Sequence, residues 1–523
     1  MRLGALFFLL ALWLGWFVTP HGDIPDESGH YAYVKDIADR GTLPLLGTAT
    51  MARDIWRDVD GLQGTTRPNY IAQHPPLYYA VAAIPYRLLH ALTDRKNLLP
   101  KAPRLISALS LGALVILLVL SLREAGASPG LSMAGAAAVG LIPLVPHLSS
   151  GISNDIFLTM LAAGGTLSLV RYVSGGVLKH AYLCALWLAA AGATKMTAWV
   201  LIAAYLAILL WELRKPGWSW LLHGMGLCLV ASSTSVLWMA RNAYHFGNPF
   251  YVYGSSFKQK VFDTTHLDYL AGQPFFDQLL GNLYASVGFS GYCQTPVTVS
   301  DLSRLCQGIR IMREDGLGVS VFAALSTLVL TCLLVALLRR VKAPAAEQST
   351  PSGQPMSLQQ RFHAAVGHAL SGQGVASGCM VIAIAAAGTV GFLAHEPSGI
   401  AGWLHLVPAL LLLAVAPFGL VLAIGARSTS SRLMAYGALA LLLMAVLVFH
   451  MGYKSYLING YPRGLQGRYL LPFLPLMMVS AGLAIQGMRR ARLLATLLVT
   501  VMAGLFLHTY VGLVVPFFQA VRV

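Results

Sequence analysis

Charge is what this chain has least of. Only 11% of its 523 residues are Asp, Glu, Lys or Arg, against about a quarter in a soluble domain. Hydrophobic residues make up 56%, and the mean hydropathy is +0.66. That balance excludes a soluble enzyme and predicts an all-α polytopic membrane protein. Acids are scarcer still, 20 against 36 Lys and Arg, so the net charge is +16. A basic balance can serve nucleic acid, but here the cations fall in short clusters between apolar runs, as the positive-inside rule expects. They read as topology signals, and no nucleic-acid partner is implied. Also missing are CxxC pairs, H-E-x-x-H, G-x-S-x-G, a Walker loop and G-x-G-x-x-G. No zinc motif, serine-hydrolase elbow or nucleotide loop is present. An activated group would therefore come from a lipid carrier within the membrane.

Cysteine is sparse, six in all. Cys184, Cys228, Cys332 and Cys379 fall in apolar spans and read as packing. Cys293 and Cys306 share one polar loop, where a disulfide and two free thiols are both open.

A span needs about 20 apolar residues. On that rule about 13 spans are expected: 3–19, 104–121, 131–148, 156–173, 180–194, 196–213, 218–239, 316–338, 376–395, 401–424, 432–450, 466–486 and 493–516. No small-x-small cleavage site follows the first, so it reads as an uncleaved span rather than a signal peptide. The run 182–213 is too long for one crossing and carries "GATK" at its middle, which predicts a turn near Gly192–Lys195. The run 76–92 is short and holds Pro85 and Arg87, so it reads as an interfacial helix. With the N-terminus in the cytoplasm, the short cytoplasmic connections all carry cations: Arg123; Arg171 and Lys179; Arg214 and Lys215; Arg339, Arg340 and Lys342; Arg427 and Arg432; Arg489, Arg490 and Arg492. Counting 76–92 as a span spoils that pattern. Residues 20–103, 240–315 and 451–465 then lie outside, while 341–375, rich in Pro, Ser and Gln, forms a flexible cytoplasmic loop. The organisation expected is a transmembrane module over 1–239 holding the chemistry and the first outer loop 20–103, an outer loop 240–315, and a C-terminal module over 316–523. There is no internal repeat.

The few acids are unevenly placed. Eight of the twenty lie between residues 23 and 60: Asp23, Asp26, Glu27, Asp36, Asp39, Asp54, Asp58 and Asp60. Asp36 and Asp39 suit the polar face of an amphipathic helix over 28–41. Asp26 and Glu27 follow Pro25 where a loop leaves the first span, so an N-cap and a functional acid are both open there. Asp155, in "SNDIF", sits beside Asn154 at the outer end of a span, where an N-cap is again the plain alternative to function. On the same side fall Lys195 in "GATK", Arg468 in "GRYLLPFLP" and His74 in "QHPPLYY". Cations at helix ends often only snorkel. Their convergence with two acids at one interface suits an anionic, lipid-anchored substrate. Glu27 and His30 are spaced as a helical i,i+3 pair, with His21 and Asp23 near, so a divalent metal ion is an open alternative.

Taken in order, "PDESGHY", "QHPPLYY", "SNDIF", "GATKMTA" and "GRYLLPFLP" resemble the GT-C glycosyltransferases, in particular protein O-mannosyltransferases and lipid A aminoarabinose transferases. The likeness covers roughly residues 1–215 and the late motif. It implies a GT-C-like fold and transfer of a sugar from a polyprenyl-phosphate donor to an acceptor hydroxyl on the extracytoplasmic face of a membrane, a bacterial inner membrane being the expected one. The acceptor would be a lipid, a glycan or a protein. By resemblance Asp26 matches the general base, and Asp155 a second acid facing the same cavity, with Glu27 beside them. Arg468, Lys195 and His74 are the candidates for the donor phosphate, and His30, Tyr31, Asn154 and Tyr469 for support. Gln73 stands where the aminoarabinose transferases carry a metal-binding Glu, which argues against carrying their metal over. The aromatic loop 240–315 would meet the acceptor or anchor at the interface. A secondary transporter or flippase is the main alternative, but such proteins tend to show repeated halves. A ligase moving a whole lipid-linked glycan is the other.

Overall fold

The computed structural model describes residues 1–51, 68–213, 218–251, 316–342, 428–459 and 467–516, apart from Asp23 and Lys96, together with 262–266, 268–269, 283–284, 411, 415, 419 and 519. The expected span 376–395, all of 401–424 but 411, 415 and 419, the loop 341–375 beyond Lys342, most of the loop 240–315, and Cys293, Cys306 and Cys379 lie outside the described residues.

Fourteen helices are described, and among the described residues there is no strand, only an isolated bridge between Thr50 and Pro68. They are α1 (Arg2–Trp13, continued as a wider turn over Leu14–Val18), α2 (Glu27–Arg40), α3 (Leu77–His90), α4 (Lys101–Glu124), α5 (Pro129–Gly140), α6 (Leu144–Ser149), α7 (Asn154–Gly175), α8 (Leu178–Gly192), α9 (Ala198–Leu213), α10 (Trp218–Phe246), α11 (Gly316–Lys342), α12 (Thr429–Asn459), α13 (Leu474–Gln486, entered through a 3₁₀ segment Gly467–Phe473) and α14 (Ala491–Leu507). Among the described residues seven helical stretches are long and apolar enough to cross a membrane, and Arg2–Val18 and Ala198–Leu213 are shorter apolar helices. The chain is an integral, multi-pass membrane protein. The amphipathic helix and the interfacial helix expected in the first loop are present as α2 and α3, and the "GATK" turn separates α8 from α9.

The larger differences from the expected boundaries have a physical cause. The run 131–148 is two helices, because Pro143 and Pro146 lack amide donors and the chain steps aside between Gly140 and Leu144. Helix α10 continues to Phe246 and α12 to Asn459, past the apolar runs 218–239 and 432–450. Backbone hydrogen bonding carries a helix on once a bilayer no longer demands apolar side chains.

Helix α7 is central and buried along nearly its whole length, and it packs on α4 and α8. Side-chain bonds show which helix ends gather. Glu124 at the end of α4 accepts from Arg171 near the end of α7 at 2.8 Å. At the same end Arg432 pairs with Glu212 and donates to the Val173 carbonyl at 3.2 Å, and Arg340 donates to Ser431 at 2.8 Å. The opposite end holds the start of α4, the start of α7, the "GATK" turn, the 3₁₀ segment before α13, and α2 with α3. One end of the bundle therefore gathers Arg171, Arg340 and Arg432, and the other holds Asp26, Glu27 and Asp155 with their cations.

Candidate active site

The first loop turns sharply at Asp26. Its φ is +66°, the one positive value at a non-glycine position among the described residues. Asp tolerates this left-handed region better than most side chains. The Asp26 carbonyl accepts from the Gly29 and His30 amides, both at 3.0 Å, and so opens α2. Its side chain makes no cap bond. Instead Oδ1 accepts from the Tyr70 hydroxyl, and Oδ2 accepts from Arg468 Nη2 at 2.8 Å. The Asp26 side chain remains 21% exposed. Burial pushes its carboxyl up in pKa, but the Arg468 charge, His30 and the bonds from Tyr70 and Arg468 outweigh burial and hold it well below the ordinary carboxylate range.

Asp155 lies behind. Ser153 caps α7 by accepting from the Asp155 amide, which leaves the Asp155 carboxylate for Lys195, 2.5 Å from Oδ1, and Arg468, 3.6 Å from Oδ2. Asp155 and Lys195 are 2% and 4% exposed, so this pair is sealed while Asp26 is open. The Tyr469 ring lies within cation–π range of both cations, 5.5 Å from Lys195 and 5.7 Å from Arg468. Two carboxylates and two cations make a cluster of zero net charge.

Glu27 belongs to a different knot. Its Oε1 and Oε2 accept from Arg104 Nε and Nη2, both at 2.8 Å, and from the Ile152 and Gly22 amides at 3.0 and 2.8 Å. Arg104 also donates to the carbonyls of Gly15, Thr19 and Pro20 at 2.6–2.8 Å. Burial raises the Glu27 carboxyl, and the Arg104 charge and its bonds more than reverse that. The knot ties the exit of α1 and the start of α4 to the turn before α7. Arg104 drew no notice in the sequence, where it only fronts an apolar run.

His30 and Asn154 meet at Tyr79. The Tyr79 hydroxyl is 2.9 Å from His30 Nδ1 and accepts from the Asn154 amide at 3.2 Å, while its ring stacks on Tyr33 at 3.9 Å. Burial lowers His30 to about 4, against the pull of Asp26. His74 ends the 3₁₀ turn Tyr70–Gln73, and its Nδ1 is buried without a hydrogen-bond partner. Burial, then the Lys195 charge, holds it well below the usual histidine range. Tyr31 faces away from the cluster, edge-on to Tyr86 at 5.9 Å and under Lys35. Because Glu27 bonds Arg104 and His30 bonds Tyr79, that i,i+3 pair does not fit a metal ion. Among the described residues no group of three His, Cys, Asp or Glu is placed to hold one.

Of the residues singled out in the sequence, the structure thus joins Asp26, Asp155, Lys195, Arg468 and Tyr469 directly and sets His30, Asn154 and His74 beside them. Glu27 and Tyr31 point elsewhere. Tyr70, Tyr79 and Arg104 were missed.

Residues 73–238 match the model of the family described as dolichyl-phosphate-mannose-protein mannosyltransferase. The likeness to glycosyltransferases of this kind, read from the motifs, is borne out over that stretch, which includes His74, Asn154, Asp155 and Lys195. Two solved structures are similar. One is ArnT from Cupriavidus metallidurans bound to undecaprenyl phosphate, at 15% identity and a TM-score of 0.33. The other is the same protein in the apo state, at 14% and 0.35. Each comparison covers 92% of this chain and 76% of the other. Among curated proteins none matches.

Proposed function

We propose that the chain is a membrane glycosyltransferase that moves a sugar from a polyprenyl-phosphate donor to an acceptor hydroxyl. The observation that carries this reading is the placement of one partly open carboxylate, Asp26, against Arg468, with the Asp155–Lys195 pair behind it, at one end of the bundle. An acceptor hydroxyl is far too weak an acid to ionise at neutral pH, so attack needs a base within hydrogen-bond reach. Asp26 is that base. As the acceptor oxygen bonds the anomeric carbon, its proton passes to Asp26. The bond from that carbon to the phosphate oxygen breaks, and its electron pair leaves with the lipid phosphate. Arg468 and Lys195, with His74 beside them, stabilise the charge that grows there. Phosphate leaves readily without an acid, so one carboxylate suffices. Asp155 is sealed behind Lys195 and supplies no nucleophile, so a single displacement inverts the anomeric centre.

The arginine-rich end of the bundle suits the cytoplasm, which supports an orientation with Asp26 at the extracytoplasmic face of a bacterial inner membrane. A module over 1–239 then holds the base Asp26 with Asp155 and Lys195, 240–315 faces the acceptor, and 316–523 adds Arg468 and Tyr469 to the site. The test is incubation of the purified chain with labelled undecaprenyl-phosphate sugars and membranes that supply the acceptor. Transfer of label with inverted anomeric configuration supports the reading. Retention of configuration overturns the single displacement, and movement of intact donor across vesicles without transfer favours a flippase.

A further inference from the structure

The cluster has a feature that the proposed reaction does not require. The carboxylate that should take a proton is fully engaged: Tyr70 donates to Asp26 Oδ1, and Arg468 donates to Oδ2 at 2.8 Å. The two contacts differ in kind. Tyr70 belongs to the 3₁₀ turn Tyr70–Gln73, whose start is fixed by Asn69. The Asn69 side chain accepts from the Ile71 amide at 3.0 Å and donates to the Gly29 carbonyl in α2, also at 3.0 Å. Asn69 is fully buried. Tyr70 and Asp26 are thus held by one rigid unit. Arg468 instead bridges two elements, with Nη2 on Asp26 and Nη1 3.6 Å from Asp155, and it is a flexible side chain with a rigid, always charged fork. Asp155 is also held by Lys195, so it does not depend on Arg468.

A phosphate brought to this zero-charge cluster competes with Asp26 for the guanidinium. Arg468 can turn its fork to phosphate while Asp155 keeps Lys195. Asp26 then loses the contact on Oδ2 and keeps the one on Oδ1.

We propose that Tyr70 is a positioning residue that holds Asp26 throughout, and that Arg468 is a removable cover on the working oxygen, drawn off by the phosphate of the lipid-linked donor. Donor binding then uncovers the base, and donor must precede acceptor. The order keeps a bare carboxylate from forming before there is a sugar to attack. This inference rests on the polyprenyl-phosphate reading above.

The test is binding of undecaprenyl phosphate, the leaving group of the proposed reaction, to purified wild type, Asp26→Asn, Arg468→Gln and the double variant in nanodiscs. If Asp26 is a competitor for Arg468, Asp26→Asn binds roughly tenfold tighter than wild type, the scale of one charged hydrogen bond. In the Arg468→Gln background the same change alters affinity less than twofold. Equal or weaker binding by Asp26→Asn overturns the cover. So does an undiminished gain in the Arg468→Gln background, which would be a field effect that needs no contact. Absence of binding by wild type overturns the donor reading itself, and the inference with it. Tyr70→Phe provides the second arm. A bond to the charged carboxylate favours that form, so its loss moves the acid limb of the kcat profile to higher pH with the donor KM unchanged. A lower rate with an unmoved limb overturns the positioning role.

Discussion

Adjacent acids in this chain do opposite work. Asp26 is partly open and its neighbours are polar side chains, whereas Glu27 is sealed in a two-pronged pair with Arg104 that also satisfies five backbone groups. Removing one partner of a buried pair leaves the other charge unpaired, at a cost of about 3–5 kcal/mol. Glu27→Ala should therefore lower the unfolding temperature sharply, while Asp26→Asn, at a partly exposed position, should leave it within a few degrees; thermal unfolding in detergent checks both. The pH dependence follows in sign. The native Glu27 carboxyl lies below its unfolded value, so its stabilisation is complete above about pH 4.3, the free glutamate value, and is lost as pH falls through the native pKa. Glu27→Gln should flatten the acid side of the stability profile, and an unchanged slope would contradict the knot. Asp26 and Asp155 were legible in the sequence because acids at the mouth or end of an apolar span need a reason. Tyr70 and Arg104 were not. Tyr70 is one of 21 tyrosines without a pattern, and its bond to Asp26 spans 44 residues. The Arg104–Glu27 bond spans 77 and the Arg468–Asp26 bond 442, and no local rule reaches that far.

At the scale of elements, the site depends on how closely the turn before α7 approaches the turn before α2. A Cβ on Gly151 would lie 2.1 Å from the Ile24 side chain, two residues before Asp26. Gly151→Ala must push Ile24 away, at an overpacking cost of about 1–3 kcal/mol. A shift of about 1 Å in the base can cost on the order of 10²-fold in rate. The expected outcome is a modest fall in unfolding temperature with a far larger fall in kcat; the reverse would show that the contact serves stability alone. Helices α2 and α3 were readable from length and polarity, as was the turn between α8 and α9. The break between α5 and α6 was signalled by Pro143 but overridden by apolar composition. The ends of α10 and α12 had no signal, because a helix that outlasts its apolar stretch leaves no mark in hydropathy.

For the whole molecule, one end of the bundle is arginine-rich and the other holds the acid–cation cluster. The proposed orientation places that cluster outside. In a background with the six native cysteines replaced, Arg40→Cys at the end of α2 should react with a membrane-impermeant maleimide on intact spheroplasts. Glu124→Cys should react only after permeabilisation. The opposite pattern would invert the protein and place the chemistry in the cytoplasm. The central claim is that Asp26 takes the acceptor's proton, and losing a positioned base costs typically 10²–10⁴-fold. The most direct measurement compares sugar transfer from undecaprenyl-phosphate donors by wild type and Asp26→Asn, matched for unfolding temperature. Wild type should transfer the sugar, and the variant should do so at a rate about 10²–10⁴-fold lower. Transfer by Asp26→Asn at the wild-type rate would contradict it.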